Sequence, residues 1–219
     1  MRKDRGGLIS IIAGLLLITA ALFLVIRNLQ EDRQAMEGRN AALAQLMEIV
    51  REKSPDPTYS GAGTVPQITE TAPEPEYPDY VLNPNMEMPV RSIDGHDYIG
   101  ILSLPSLELE LPVMAEWSYP RLKINPCRYV GSAYLNNLVI CAHNYQSHFG
   151  RLSELAIDDA VYFTDMDGNV FRYRVAEVTT LQPTAVTEMT DSGWDLTLFT
   201  CTLGGRTRVT VRCESLDKE

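Results

Sequence analysis

The segment Asp195-Leu-Thr-Leu-Phe-Thr-Cys-Thr-Leu-Gly-Gly-Arg-Thr-Arg-Val-Thr-Val-Arg-Cys213 decides how the rest of the chain is read. Two runs rich in Thr, Val, Leu and Phe flank Gly204-Gly205, and glycine takes the positive φ of a two-residue hairpin turn without strain. A turn centred there pairs Leu203 with Arg206, Thr202 with Thr207 and Cys201 with Arg208. Opposite residues of an antiparallel pair project from one face with Cβ atoms about 4.5–5.5 Å apart, so a guanidinium is expected beside a thiol. A neighbouring cation favours the nucleophilic thiolate, and the five-donor fork of arginine suits an oxyanion. Positions 206, 208 and 212 share a face. The opposite-residue argument favours Arg208, since Arg206 lies toward the turn and Arg212 four residues farther along.

Similar short runs, alternating or apolar and bounded by turn residues, recur at 98–104, 109–114, 137–142, 160–164 and 170–180. With the two strands of the hairpin they predict an antiparallel barrel or sandwich. Brief helical turns are expected at 119–127, 149–155 and 186–191. The stretch Asp165-Met-Asp-Gly-Asn169 has acidic groups at alternating positions, as a calcium loop does. Its sixth position is Val170 where Gly is needed and its twelfth is Ala176 where a bidentate Glu is needed, so it reads as a hairpin turn.

A second chemical cluster closes the run Asn137-Asn-Leu-Val-Ile-Cys-Ala-His-Asn144, where an apolar strand ends at His143. A lone histidine is more often structural, and a lone cysteine is more often a core residue. Cys201, His143 and an arginine, all at strand ends, form a set that acyl transfer needs: a histidine can protonate a leaving amine and then deprotonate the incoming nucleophile. Cys127, Cys141 and Cys213 cannot be paired from sequence. Cys141 and His143 share a strand face, but without further ligands at recognisable spacing no metal site is expected. His96 and His148 read as solvent-facing loop residues.

The first 90 residues have a different character. Residues 8–26 are apolar except for small residues, long enough to cross a hydrocarbon core, and Arg2, Lys3 and Arg5 precede them. Positive charge stays cytoplasmic, which predicts an uncleaved anchor over residues 1–29 that meets membrane lipid and leaves the rest of the chain extracellular. Residues 30–53, with apolar positions at Ala35, Ala42, Leu43, Leu46, Met47 and Val50, predict a helical stalk. Residues 54–90 hold 8 of the 13 prolines and 6 acidic groups with no Lys or Arg, the composition of an extended, self-repelling spacer. Residues 91–219 remain as the folded domain, carrying 11 basic and 17 acidic groups. With a formal charge of -10 over all 219 residues, the chain offers no basic field for nucleic acid.

Thr197-Leu-Phe-Thr-Cys201 resembles the TLxTC signature of the sortases, and Arg208-Val-Thr-Val-Arg212 follows where that family has its arginine and last strand. Ala142-His143-Asn144 matches the context of the family's catalytic histidine, and the anchor and spacer are similar to its usual build. The likeness runs from about residue 98 to 214. It implies an all-β fold, an eight-stranded β-barrel with short helices behind an N-terminal transmembrane helix. It also implies a cofactor-free cysteine transpeptidase acting on secreted proteins with a C-terminal LPxTG-type sorting signal. The acceptor would be an amine of the peptidoglycan precursor or of a pilin. Carried over, Cys201 is the nucleophile, His143 the acid and then base, and Arg208 the oxyanion and substrate anchor, with Asn144 and Thr200 as substrate contacts. The Cys-to-Arg interval of seven is shorter than in most relatives. Pilin-polymerising sortases often carry a lid with Asp-Pro-aromatic, whereas Asp56-Pro57 is here followed by Thr58. The ~15 residues before Leu196 leave little room for the long helix of the class B group.

Two other readings compete. A non-enzymatic membrane-anchored scaffold would leave Cys201 as core. A wall cross-linking L,D-transpeptidase resembles Ser-His-Gly-Cys, with its histidine two residues before the cysteine, a pattern this sequence lacks.

Overall fold

A computed structural model describes residues 4–53, 77–191 and 193–217. The Asp195–Cys213 segment forms strands β8 (Leu196–Cys201) and β9 (Arg208–Ser215), paired so that Leu196 faces Cys213 and Cys201 faces Arg208. The register is the expected one, but the turn is wider. The Gly205 amide donates to the Thr202 carbonyl (2.8 Å) and the Thr202 amide to the Thr207 carbonyl (3.0 Å), while Leu203 stands free in solvent. Gly204 and Gly205 both have positive φ (80° and 70°), which a side chain would resist.

The other strands are β1 (Arg91–Ile93), β2 (His96–Leu104), β3 (Leu109–Met114), β4 (Cys127–Val130), β5 (Leu138–Ala142), β6 (Ala160–Asp165) and β7 (Val170–Leu181). They order as β1-β2-β3-β4-β5-β8-β9-β7-β6, and β6 pairs back onto β2. Strand β1 adds only to β2, so the remaining eight close a barrel with no free edge. Closure needs Gly100: a Cβ there would stand 2.3 Å from the Thr164 carbonyl oxygen and 2.6 Å from the Phe163 ring. Inside lie Ile99, Leu102, Leu111, Val113, Leu138, Ile140, Phe163, Tyr173, Leu198 and Val211. The turn between β6 and β7 is a hairpin in which the buried Asp165 carboxylate accepts from the amides of Asp167 and Asn169 (both 2.9 Å) and from the Tyr134 hydroxyl (2.7 Å).

Helix α1 (Asp4–Lys53) is continuous, about 75 Å long at 1.5 Å per residue. Its first part exposes Ile9, Leu15, Leu17, Phe23 and Ile26, and it is long and apolar enough to cross a membrane. The part expected as a stalk instead lies on the barrel. Ala42 and Leu46, 4% and 0% exposed, pack with Tyr98, Ile101, Met114, Cys127, Cys141 and Met166 as a second core outside the barrel. This second core explains why β5 is buried at every position: Leu138, Ile140 and Ala142 face the barrel interior, and Cys141 faces the outer cluster. Of the expected spacer, residues 54–76, Asp56–Thr58 among them, lie outside the described residues. Residues 77–90 rest on the barrel: helix α2 (Asp79–Leu82) carries Tyr80, which stacks on Tyr134 at 4.7 Å, and Met88 is buried. Two further short helices, α3 (Tyr119–Leu122) and α4 (Val186–Thr190), complete the fold.

Candidate active site

Strands β5 and β8 run parallel, with Cys141 beside Phe199 and Ala142 beside Thr200. Their C-terminal ends therefore lie together, and antiparallel β9 begins at that same end. His143 follows the last residue of β5, Cys201 ends β8 and Arg208 starts β9. Three adjacent strands thus deliver the three expected groups to one edge of the barrel. Alternation puts Cys141 and His143 on one face of β5, and Phe199 and Cys201 on the matching face of β8.

Cys201 is partly exposed, while Cys127, Cys141 and Cys213 are buried and all four thiols are free. Burial pushes the Cys127 thiol up to about 12 and raises Cys141 and Cys213 as well, which keeps all three protonated and inert. Cys201 alone combines access with a cationic neighbour on the next strand.

Arg208 Nη1 donates to the carbonyls of Gly205 and Thr207, each at 3.1 Å, leaving Nε and Nη2 without a partner among the described residues. Arg212 is engaged elsewhere: it contacts Glu177 at 3.4 Å and the Glu188 carbonyl at 3.2 Å, with its guanidinium 5.9 Å from the centre of the Trp194 ring. Arg206 is exposed on the turn.

His143 is half-buried. Its pKa is lowered by burial and by Lys123, and Glu31 of α1 opposes them. Asn144 is half-buried beside it. Thr200, expected to touch substrate, is 3% exposed and gives its hydroxyl to the Ala142 carbonyl at 2.9 Å, tying together the strands that carry Cys201 and His143. His148, expected in solvent, is fully buried and its pKa falls to about 4, chiefly through burial. It sits under Tyr145, whose ring lies 5.5 Å from its own. His96 opens β2 and is half-buried.

Sequence reasoning missed an aromatic row beside Cys201. Phe199 contacts Tyr129 edge-on at 5.3 Å, Tyr129 meets Trp117 at 5.4 Å, and Trp117 meets Tyr119 at 5.8 Å. Trp117 and Tyr119 are 41% and 73% exposed, an accessible apolar wall leading from the Cys201 face. Its members come from three separate segments, so no local pattern announces it.

A family model described as Sortase domain matches residues 102–216, more than half of the chain. Comparison with curated proteins returned no match. Among solved structures, the chain is similar to a sortase C1 from Streptococcus suis, with 26% identity, 57% of this chain and 75% of that one covered, and a TM-score of 0.49. It is also similar to a lid mutant of sortase A from Corynebacterium diphtheriae (19% identity, 82% and 96% covered, TM-score 0.49). A third is a sortase D5 transpeptidase from Clostridium perfringens (17% identity, 54% and 79% covered, TM-score 0.47). From the match to the sortase domain, over strands that close an eight-stranded barrel, the chain belongs to the sortase family of cysteine transpeptidases.

Proposed function

We propose that this sortase cleaves a C-terminal sorting signal of the LPxTG type in secreted proteins and transfers the acyl group to an amine of the cell-wall precursor or of a pilin. The observation that carries the reading is the strand register, with Cys201 opposite Arg208 and the strand bearing His143 alongside. The Cys201 thiolate attacks the scissile carbonyl and forms a C–S bond. As the C–N bond breaks, His143 gives its proton to the leaving amine. His143 then takes a proton from the acceptor amine, which displaces the thioester and frees Cys201. Arg208 stabilises the tetrahedral oxyanion in both halves through Nε and Nη2, and Asn144 borders the substrate. The test is purified full-length protein with a fluorogenic LPxTG peptide and an added amine. Cleavage with a new amide product is expected; no turnover over a panel of such peptides would leave the scaffold reading in its place.

The domain plan follows from the same reading. Residues 1–29 anchor the chain in membrane lipid with the N-terminus cytoplasmic, residues 30–53 lead from the membrane, residues 54–90 connect, and residues 91–219 catalyse outside the cell. Protease added to intact protoplasts is expected to digest the domain and leave a membrane-bound N-terminal fragment. A fully protected domain would reverse the orientation.

A further inference from the structure

The loop after His143 is held from outside the barrel by α1, a contact beyond residues 102–216 of the family match. Ser147 gives both its amide (3.1 Å) and its hydroxyl (2.7 Å) to the Asp32 carboxylate. Arg39 Nη1 donates to the Ser147 carbonyl at 3.1 Å, and the Tyr145 hydroxyl donates to Glu31 at 3.4 Å. Asp32, Ala35, Arg39, Ala42 and Leu46 recur at intervals of three and four, so a single helix face runs from this loop down to the outer core. Ala35 is 1% exposed, and Gly38 has room for only an ordinary contact, with Ile124 3.5 Å from a Cβ placed there.

Within the loop the same two residues lead to the histidine. The Tyr145 ring lies 5.0 Å from the His143 ring at 32°, a contact that limits how the imidazole can turn. The amide of Phe149 donates to the His143 carbonyl (3.2 Å), and those of His148 and Gly150 donate to the Tyr145 carbonyl (3.0 and 2.8 Å). Ser147, 8% exposed, is thus the fastening point of a closed loop whose first residue is His143 and whose second ring packs on it.

We propose that α1 is a working part of the catalytic site, with Asp32 and Glu31 as positioning residues that hold His143 toward the nucleophile through Ser147 and Tyr145. The inference rests on His143 being the acid and base. It makes the juxtamembrane helix necessary for full activity and not merely a tether. The charged and titratable groups around the loop are Glu31, Asp32 and Arg39 from α1, Lys123 following α3, Tyr145 and His148 of the loop itself, and Cys201 and Arg208 from β8 and β9. Of these, Glu31 raises the His143 pKa and Lys123 lowers it. Loss of the Glu31 charge must therefore move the titration of His143 to lower pH.

The experiment measures kcat/KM against pH on an amine-containing peptide assay with full-length protein in detergent, alongside thermal stability. Asp32→Ala should lose ~10- to 100-fold in kcat/KM, the scale expected for a misplaced catalytic group. Asp32→Asn, which keeps an acceptor for Ser147, should recover most of it. Glu31→Gln should shift one limb of the pH profile downward with little change in Tm. Lys53→Ala, which removes an ion pair with Asp167 at the far end of the same helix, should leave the profile in place. Asp32→Ala and Glu31→Gln enzymes with wild-type rate and profile, beside an inactive His143→Ala, would overturn the positioning role alone. An active His143→Ala would instead overturn the reading on which it rests.

Discussion

Cys201→Ala is expected to reduce turnover of a sorting-signal peptide to background, a loss of at least ~10⁴-fold, because removing the nucleophile of covalent catalysis leaves only binding and oxyanion stabilisation. Alanine at Cys127, Cys141 or Cys213 should stay within about tenfold of wild type at temperatures where the variant is folded. These three thiols are held in the protonated form by burial and act as small apolar fillers in the two cores. Their substitution should therefore lower Tm, not the chemical step. The check is kcat/KM for all four variants on one fluorogenic peptide, with Tm measured in parallel. A Cys201→Ala enzyme that still cleaves, or a Cys141→Ala enzyme that is dead at native stability, would move the nucleophile.

The second large effect is expected at Arg208. Removing one oxyanion donor typically costs ~10²–10³ in rate, so Arg208→Ala should fall at least that far in kcat/KM. Arg208→Lys should recover little, since an ammonium keeps the charge but loses the planar fork. Arg206→Ala should remain within about tenfold, as its side chain is exposed on the turn. Arg212→Ala should show itself as lost stability, because that guanidinium is held by Glu177, the Glu188 carbonyl and the Trp194 face. With variants matched for Tm, a greater loss at Arg206 than at Arg208 would mean that the oxyanion lies nearer the turn than the strand register implies.

The hairpin shows what could be read locally and what could not. Pairing of Cys201 with Arg208 is the same for a two-residue and a wider turn, provided the turn is centred between Gly204 and Gly205, so the register was legible although the turn closes at Thr202 and Thr207. Strands with five or more patterned residues were found within two residues of their ends. Cys127 was read as the end of a helical turn and residues 128–130 were given no element, because four residues that include Arg128 carry no period. They become a strand only through a bulged pairing with β5 and one bridge to β3. The apolar stripe on residues 35–50 was visible, but a stripe does not name its partner. Lipid, a second helix and the chain's own barrel ask for the same spacing. The brace at Ser147 depends on that docking, so it escaped a reading that left the helix free. Thr200 was expected as a substrate contact, yet adjacent residues of a strand face opposite sides, and its side chain is buried away from the Cys201 face.

The most direct measurement of the assignment is the mass of the acyl-enzyme. Full-length protein incubated with an LPxTG peptide and no added amine, quenched in acid and digested, should carry a single thioacyl adduct on the peptide containing Cys201, discharged when an amine is supplied. An adduct on Cys127, Cys141 or Cys213, or peptide cleavage that proceeds with no covalent adduct on any cysteine, would contradict it.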